Sequence, residues 1–447
     1  MRRQSLFKLA ASVTTLGLCS ANAAALFAAD AQTPIPQPVV EGLKLAPANK
    51  RLDLMLPKFS NPTKITNPLF PASSQDSVVM VGKVDGKPFR TEVTLLPYTQ
   101  ITSWQGVQIE ALVSQYTAYL DGRLQEVAYD LYAQADDGSV WYLGEDVVDL
   151  KDGAIHTKEG TWQAGRDGPP AMIMPANPKP GDAFRAENMP GIAFEEITIK
   201  STNETVDGPF GPVAGGLIVS ELALDGSLSQ KTFAPGYGEM WTGKNGEVEA
   251  LALAVPANAA RGPIPRELTE LTDGANAVFK LAGAKDWPGA AKTVEAMMAA
   301  WKRVPGTEIP QLIGPQVAAS LNQLTSAVAT RNSSKARQAA LEALRWSLDL
   351  HLRYRPSAEV NLARMDLWAA QAQIDAESKN AAELNGDVFS LFYIRDRIVH
   401  DLDAASTNRI NLGYAQVQSA VLDEDFAAAA RAAEGLRAVI AGLKTAR

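Results

Sequence analysis

The stretch "EVAYDLYAQADDGSVWYLGEDVVDLKDGAIHTKEGTW" (Glu126–Trp162) decides the fold of the first half of the chain. Runs of about ten residues rich in Val, Tyr, Trp and Leu are cut by Asp137-Gly138 and Asp152-Gly153. Asp-Gly tolerates the positive φ of a tight hairpin turn. Working outward, the same punctuation recurs at Asp85-Gly86, Asp121-Gly122, Asp225-Gly226 and Asn245-Gly246. From about Val78 to Val255 the chain therefore reads as an antiparallel β-meander of long strands, curved into a half-barrel. "GPPAMIMPANPKPGD" (Gly168–Asp182) is too rich in proline for a ladder and reads as an irregular crossing.

Beyond "AVPANAARGPIPREL" (Ala254–Leu268) the pattern changes to alanine-rich helices. "DWPGAAKTVEAMMAAW" from Asp286 and "DFAAAARAAEGLRAVI" from Asp425 share one pattern, and looser copies match it through Lys335 and Asn380. Trp287, Lys335, Asn380 and Phe426 are spaced by 48, 45 and 46 residues, the length of a helix–turn–helix unit. About seven helices in repeated αα-hairpins follow. The fold class is thus α+β in two domains, a curved antiparallel β-meander or half-barrel followed by an all-α bundle. The segments are 1–25, a signal peptide; 26–64, a proline-rich extended lead-in; 65–257, the β domain; 258–267, a linker; and 268–447, the helical domain.

"WSLDLHLRYRP" (Trp346–Pro356) alternates like a strand. At 100° per residue, however, Leu341, Leu344, Leu348 and Leu352 form one stripe, and Trp346, Leu350 and Tyr354 form the opposite one. That describes a helix buried on two sides, ended by Pro356. Asp349 and His351 fall on opposite flanks of it.

The first residues have the grammar of a secretory signal. Arg2, Arg3 and Lys8 precede the apolar "LAASVTTLGLC", and Ala-x-Ala sites end at Ala23 or Ala25. This implies export to the periplasm. Cys19, the only cysteine, would leave with the signal unless it is lipidated, and Leu18 stands where a small residue normally precedes such a cysteine. Cleavage takes the formal charge from −8 to −11. That charge disfavours nucleic acid as a partner. No later run is apolar enough for a transmembrane span.

Candidates for chemistry are few. His351, His400, Asp349, Glu359, Asp366 and Asp396 are carboxylates and imidazoles that a bundle could converge on a transition metal. The alternative is inter-helix ion pairs with the many arginines. Arg353, Arg364 and Arg397 would hold an anionic ligand. In the sheet, Trp104, Tyr132, Trp141 and Trp162 are candidates for an apolar or sugar-like ligand. Met172, Met174 and Met189, with His156, offer soft ligands for copper. Glu145-Asp146 and Glu195-Glu196 are adjacent acids whose side chains face opposite sides of a strand. There is no Gly-x-Ser-x-Gly elbow, His-Glu-x-x-His helix or P-loop, so an enzyme is the weaker reading and a carboxylate-dependent hydrolase is its remaining form.

"ITNPLFP" (Ile65–Pro71), "YDLYAQADDGSVWYLGED" (Tyr129–Asp146), "EGTWQAGRDGPPAMIMPANPKPGD" (Glu159–Asp182) and "FAPGYGEM" (Phe233–Met240) together resemble an uncharacterised family of secreted bacterial proteins. The resemblance covers about residues 65–240. It implies an exported β domain and assigns no catalytic residue. The sheet is also loosely similar to periplasmic lipoprotein-carrier half-barrels, a likeness of fold alone. The resulting expectation is a binding or accessory protein of the cell envelope, with a small ligand or an envelope protein as partner. A periplasmic metal-binding protein is the alternative.

Overall fold

The structure is a computed structural model, and residues 33–443 are described. The segment expected to be a signal peptide, and Cys19 with it, lie outside the described residues. Two short strands, β1 (Thr33–Pro34) and β2 (Met55–Leu56), pair with each other. The large sheet is built from β3 (Ser77–Val84), β4 (Lys87–Trp104), β5 (Val107–Leu120), β6 (Arg123–Gln134), β7 (Val140–Lys151), β8 (Ala154–Thr157), β9 (Trp162–Gln163), β10 (Ala171–Met174), β11 (Ala183–Met189), β12 (Ala193–Gly208), β13 (Gly211–Ala223), β14 (Leu228–Ala234), β15 (Gly238–Lys244) and β16 (Glu247–Val255). Eight helices follow among the described residues: α1 (Arg266–Gly283), α2 (Trp287–Arg303), α3 (Gly314–Ala329), α4 (Ser333–His351), α5 (Ser357–Ser378), α6 (Ala381–Ile398), α7 (Ala404–Leu422) and α8 (Phe426–Ala441).

The sheet is antiparallel and open, with the order β10-β7-β6-β5-β4-β3-β16-β15-β14-β13-β12-β11 and with β8 and β9 also on β7. It is two meanders joined at one seam. β3 pairs with β16, from Ser77 opposite Val255 to Lys83 opposite Val248. Each wing then runs outward through hairpins.

The turn chemistry explains the wings. Asp85-Gly86, Asp121-Gly122, Asp152-Gly153 and Asn245-Gly246 each place two successive residues at positive φ, the type I′ geometry that matches strand twist. At Asp137-Gly138 and Asp225-Gly226 only the glycine is left-handed, and the loop is longer. Gln105-Gly106 makes a further such turn, with φ of 47° and 84°; its first residue carries none of the usual signal. The stretch Gly168–Asp182 is not wholly irregular. Ala171–Met174 forms an edge strand on β7, with a bulge between Met172 and Met174. A short strand between prolines fits only at an edge, where one row of N–H groups needs no partner.

The lead-in is pinned rather than free. Ile35, Leu56 and Ile65 are buried in the sheet core. Leu52 N–H donates to Ala183 O at 2.9 Å. Arg51 is buried and pairs with Asp53 and, at 3.4 Å, with Glu196. The segment therefore lies over β11, at one edge of the sheet.

The helices pair as α1α2, α3α4, α5α6 and α7α8 through one repeated turn. Lys285, Arg331, Lys379 and Glu424 adopt φ of 59°, 52°, 58° and 55°. Asp286, Asn332, Asn380 and Asp425 then cap the next helix, accepting from the N–H three residues on. Such caps satisfy a donor the helix start leaves open. The caps are 46, 48 and 45 residues apart. The repeat is real, but its register is set by these caps. Lys335 stands three residues past its cap, and Asn380 is itself the cap.

Trp346–Pro356 is helical as expected, but α4 ends at His351 and a turn carries the chain to Pro356. Leu348, Leu350 and Leu352 are buried, and Trp346 and Tyr354 half-buried. From Thr33 onward the chain is one compact unit. A single apolar core joins Val79, Val127, Val148 and Leu253 of the sheet to Leu271, Leu344, Met365 and Leu391 of the helices. No described helix is long and apolar enough to cross a membrane.

Candidate functional site

The sheet has two faces of opposite electrostatic character. On the face covered by helices, Arg90 and Glu92 of β4 meet Asp349 of α4, Arg364 of α5 and Arg397 of α6. Arg90 holds Asp349 at 2.7 and 2.9 Å, and Arg364 reaches the same carboxylate at 2.6 Å. Glu92 accepts from Arg90 and Arg397 and lies 3.4 Å from Arg364. Gln115 and Thr117 of β5 also accept from Arg397. Burial opposes ionisation of Glu92, but Arg364, Arg90 and Arg397 outweigh it and hold its carboxyl well below the usual range. All five charged side chains are buried. The cluster fastens α4, α5 and α6 to the sheet, and its carboxylates are occupied by guanidinium groups.

The six metal candidates are not brought together. Asp349 is enclosed by Arg90 and Arg364. Asp366 takes a two-pronged contact from Arg437 at 2.9 and 3.0 Å. Glu359 sits near Arg355 at the surface, 3.7 Å away. Asp396 accepts from Tyr98 and Tyr129 at 3.2 and 3.1 Å, and His400 lies against the Tyr98 ring. His351 Nε2 meets Thr272 Oγ1 at 2.8 Å and Leu268 O at 3.2 Å, so its partners are on α1. Among the described residues no group of three His, Cys, Asp or Glu side chains is arranged to hold a metal ion. The methionines are likewise apart from His156. Met172, Met174 and Met189 are buried in the sheet core, whereas His156 is exposed on β8.

The arginine candidates separate too. Arg364 and Arg397 belong to the buried cluster, while Arg353 binds Glu308 at 2.8 Å and Asn258 O at 3.0 Å. Trp141 is fully buried, with its N–H on Ser139. Trp104 is half-buried against the same core. Tyr132 and Trp162 pack in that core as well, beside the second and more unusual feature.

On the face turned away from the helices the strands carry a lining of acids. Glu92 faces the helices, so its neighbour Thr91 faces the other way, and Thr91 Oγ1 bonds Glu249 of β16. Likewise Tyr116 stands between the helix-facing Gln115 and Thr117. Around it gather Glu126, Asp130, Glu239 and Glu249, each close enough to act on its phenol. Asp130 is paired across the ladder with Glu145, and Glu187 with Glu195. Glu145 of β7 and Glu187 of β11 lie close enough to act on each other's carboxyl although they belong to opposite wings of the sheet. The sheet therefore curls until its wings face each other across a concave chamber. Glu126, Glu145, Glu187, Glu195, Glu239 and Glu249 remain half-buried rather than sealed.

Among the described residues, Lys231 is the cation seen to answer these acids from within. Lys231 contacts Glu221 at 2.7 Å and holds its carboxyl below the usual range against the effect of burial. Glu126, Asp130, Glu145, Glu187, Glu195 and Glu249 are pushed the other way. Burial raises Glu126 to about 7, with Asp149 and Asp130 adding to it. Burial, then Glu239, raises Glu249 to about 7. Asp130 rises to about 6 through burial, although a hydrogen bond from Tyr142 at 2.6 Å opposes the rise. Glu145 and Glu187 are both raised by burial, and Glu145 further by Asp130 and Glu187. Glu195 is raised by burial, with Glu221 and Glu187 adding to it and Lys231 opposing it. Like charges directly opposite on a ladder repel, and a shared proton relieves this.

An aromatic layer borders the acids. Phe70 meets Tyr132 edge-on at 4.8 Å, Tyr132 stacks on Tyr142 at 5.0 Å, and Tyr142 meets Trp162 edge-on at 5.3 Å. Trp162 pairs with Glu145 in the ladder and so shares its face. Two of the four aromatic candidates thus border the chamber.

The alternation argument separates the acid pairs correctly, since Glu145 and Glu195 turn inward. Glu196 faces out to Arg51, and Asp146 is exposed. The signal that could have found the chamber was the pairing of inward acids across successive hairpins. No family model matches this chain, and no curated protein is significantly similar to it.

Proposed function

We propose that this is an exported binding protein of the bacterial cell envelope, and that its ligand enters the concave chamber and carries positive charge, as an organic ammonium group does. The single observation that carries this reading is the gathering of half-buried carboxyl groups from both wings on the concave face, with Lys231 placed among them. A cationic ligand displaces protons from these carboxyl groups and gains Coulomb energy from the charges it uncovers. Tyr116, Tyr132 and Tyr142 add hydrogen-bonding rims and aromatic faces suited to an alkylammonium. Export is supported by the N-terminal Arg2-Arg3 and the apolar run after it, and by the resemblance to secreted proteins over about residues 65–240.

Calorimetric titration with a series of mono-, di- and polyamines, repeated in buffers of different ionisation enthalpy, tests the reading. Saturable binding accompanied by proton release is expected, weakening about tenfold or more in Glu145→Gln or Glu195→Gln. Absence of binding across the series, or binding that ignores both substitutions, removes it.

A further inference from the structure

A second site, independent of the chamber, is marked by Arg345 on α4. Its guanidinium is buried, yet among the described residues it makes no hydrogen bond, and its Nε has no partner. The nearest carboxylate oxygen, from Glu342 one turn earlier, is 3.6 Å away, and that side chain is 29% exposed. A buried guanidinium normally satisfies its fork of donors, because an unmet charged donor costs more than an unmet neutral one. Arg364 and Arg337 also leave Nε without a partner, but each holds a carboxylate close by, Arg364 on Asp349 at 2.6 Å and Arg337 on Glu377, whereas Arg345 has none nearer than Glu342.

The guanidinium is also fixed in place. It lies 4.9 Å from the ring centre of Trp368 and 6.0 Å from that of Tyr119, and the two rings stack on each other at 5.5 Å. Arg345 lines a recess of about 70 Å³ between the β3–β4 hairpin and helices α3 and α4. Arg90 and Trp346 form its inner wall, and Gln316 and Glu342 border it. Exposed Pro88 and half-buried Gln316 and Glu342 place its mouth at the surface. A volume of that size holds about two waters or one oxyanion head group.

We propose that this recess binds a small oxyanion, a phosphate or a carboxylate, on the unoccupied donors of Arg345. A planar guanidinium held flat by aromatic rings presents paired N–H groups that match two oxygens of such an anion. Glu342, at the rim, competes for the same charge and sets the affinity.

Titration of the full chain with inorganic phosphate, and separately with acetate, at ionic strength held constant with sodium chloride, reads the proposal. At least one anion is expected to bind saturably, and the stronger of the two identifies the head group. Arg345→Met is expected to weaken binding about tenfold or more, and Glu342→Gln to tighten it about two- to fivefold. No saturable binding of either anion, or binding unchanged in Arg345→Met, overturns it. Should Arg345→Met fail to fold, Glu342→Gln decides, and an unchanged or weaker affinity there also overturns it.

Discussion

Thr91 and Glu92 are neighbours in the chain and belong to two different electrostatic regimes. On the helix side, Glu92 and Asp349 are enclosed by Arg90, Arg364 and Arg397. On the concave side, Glu249 meets Thr91, and burial lifts its pKa to about 7 although Lys231 opposes the rise. The same residue type is thus structural where fixed cations surround it and available where protons neutralise it. Loss of a partner should accordingly damage the first face and barely disturb the second.

The sharpest way to break that contrast is Asp349→Ala. It leaves Arg90 and Arg364 buried without their shared carboxylate and should cost about 3–5 kcal/mol in chemical denaturation. A cost below about 1 kcal/mol would mean that the helix face tolerates unpaired charge as the chamber does.

The pH dependence comes next in size. Glu126, Glu249 and Asp130 have folded pKa values of about 7, 7 and 6, raised above their usual 4.5, 4.5 and 3.8. Such groups contribute stability that is fully present below their unfolded pKa and lost as pH rises through the folded one. Melting curves between pH 4.5 and 7.5 should therefore show a chamber contribution that declines on the order of 1–3 kcal/mol. The double substitution Glu126→Gln with Glu249→Gln should flatten that slope, and an unchanged slope would place its origin elsewhere. His351 acts in the opposite sense. Burial, then Arg355, lowers its pKa, so its contribution is lost as pH falls through the ordinary histidine range near 6.5.

The smallest effect is expected from Glu195→Gln. Its carboxyl is held in the protonated form, so an amide of the same shape should change stability at neutral pH by less than about 1 kcal/mol. A loss comparable to that of Asp349→Ala would show the two faces to be alike.

What the sequence revealed follows from range. Hairpin turns are local, and of the six Asp-Gly and Asn-Gly dipeptides read as hairpin turns four adopt paired positive φ. Helix caps are local too, so the repeat was visible, although spacing alone placed Lys335 and Asn380 out of register. The ionic cluster joins Arg90 to Asp349 across 259 residues, and no pattern within a window can announce such a pair. Read within its helix, Asp349 looked like a possible ligand; its true partners come from another strand and another helix. The chamber was hidden for a related reason. Alternation shows that Glu145 and Glu195 each face away from an acidic neighbour. Only the curl of the sheet brings Glu145 to Glu187.

The seam between β3 and β16 gives the chain a timetable. Each wing can form from adjacent hairpins, but Ser77 must wait for Val255 before the sheet has a middle. Folding speed falls as the contacts that define a fold grow more distant along the chain. Until the seam closes, β3 and β16 each present an unpaired row of backbone groups. The chamber, whose acids come from both wings, exists only after that late step.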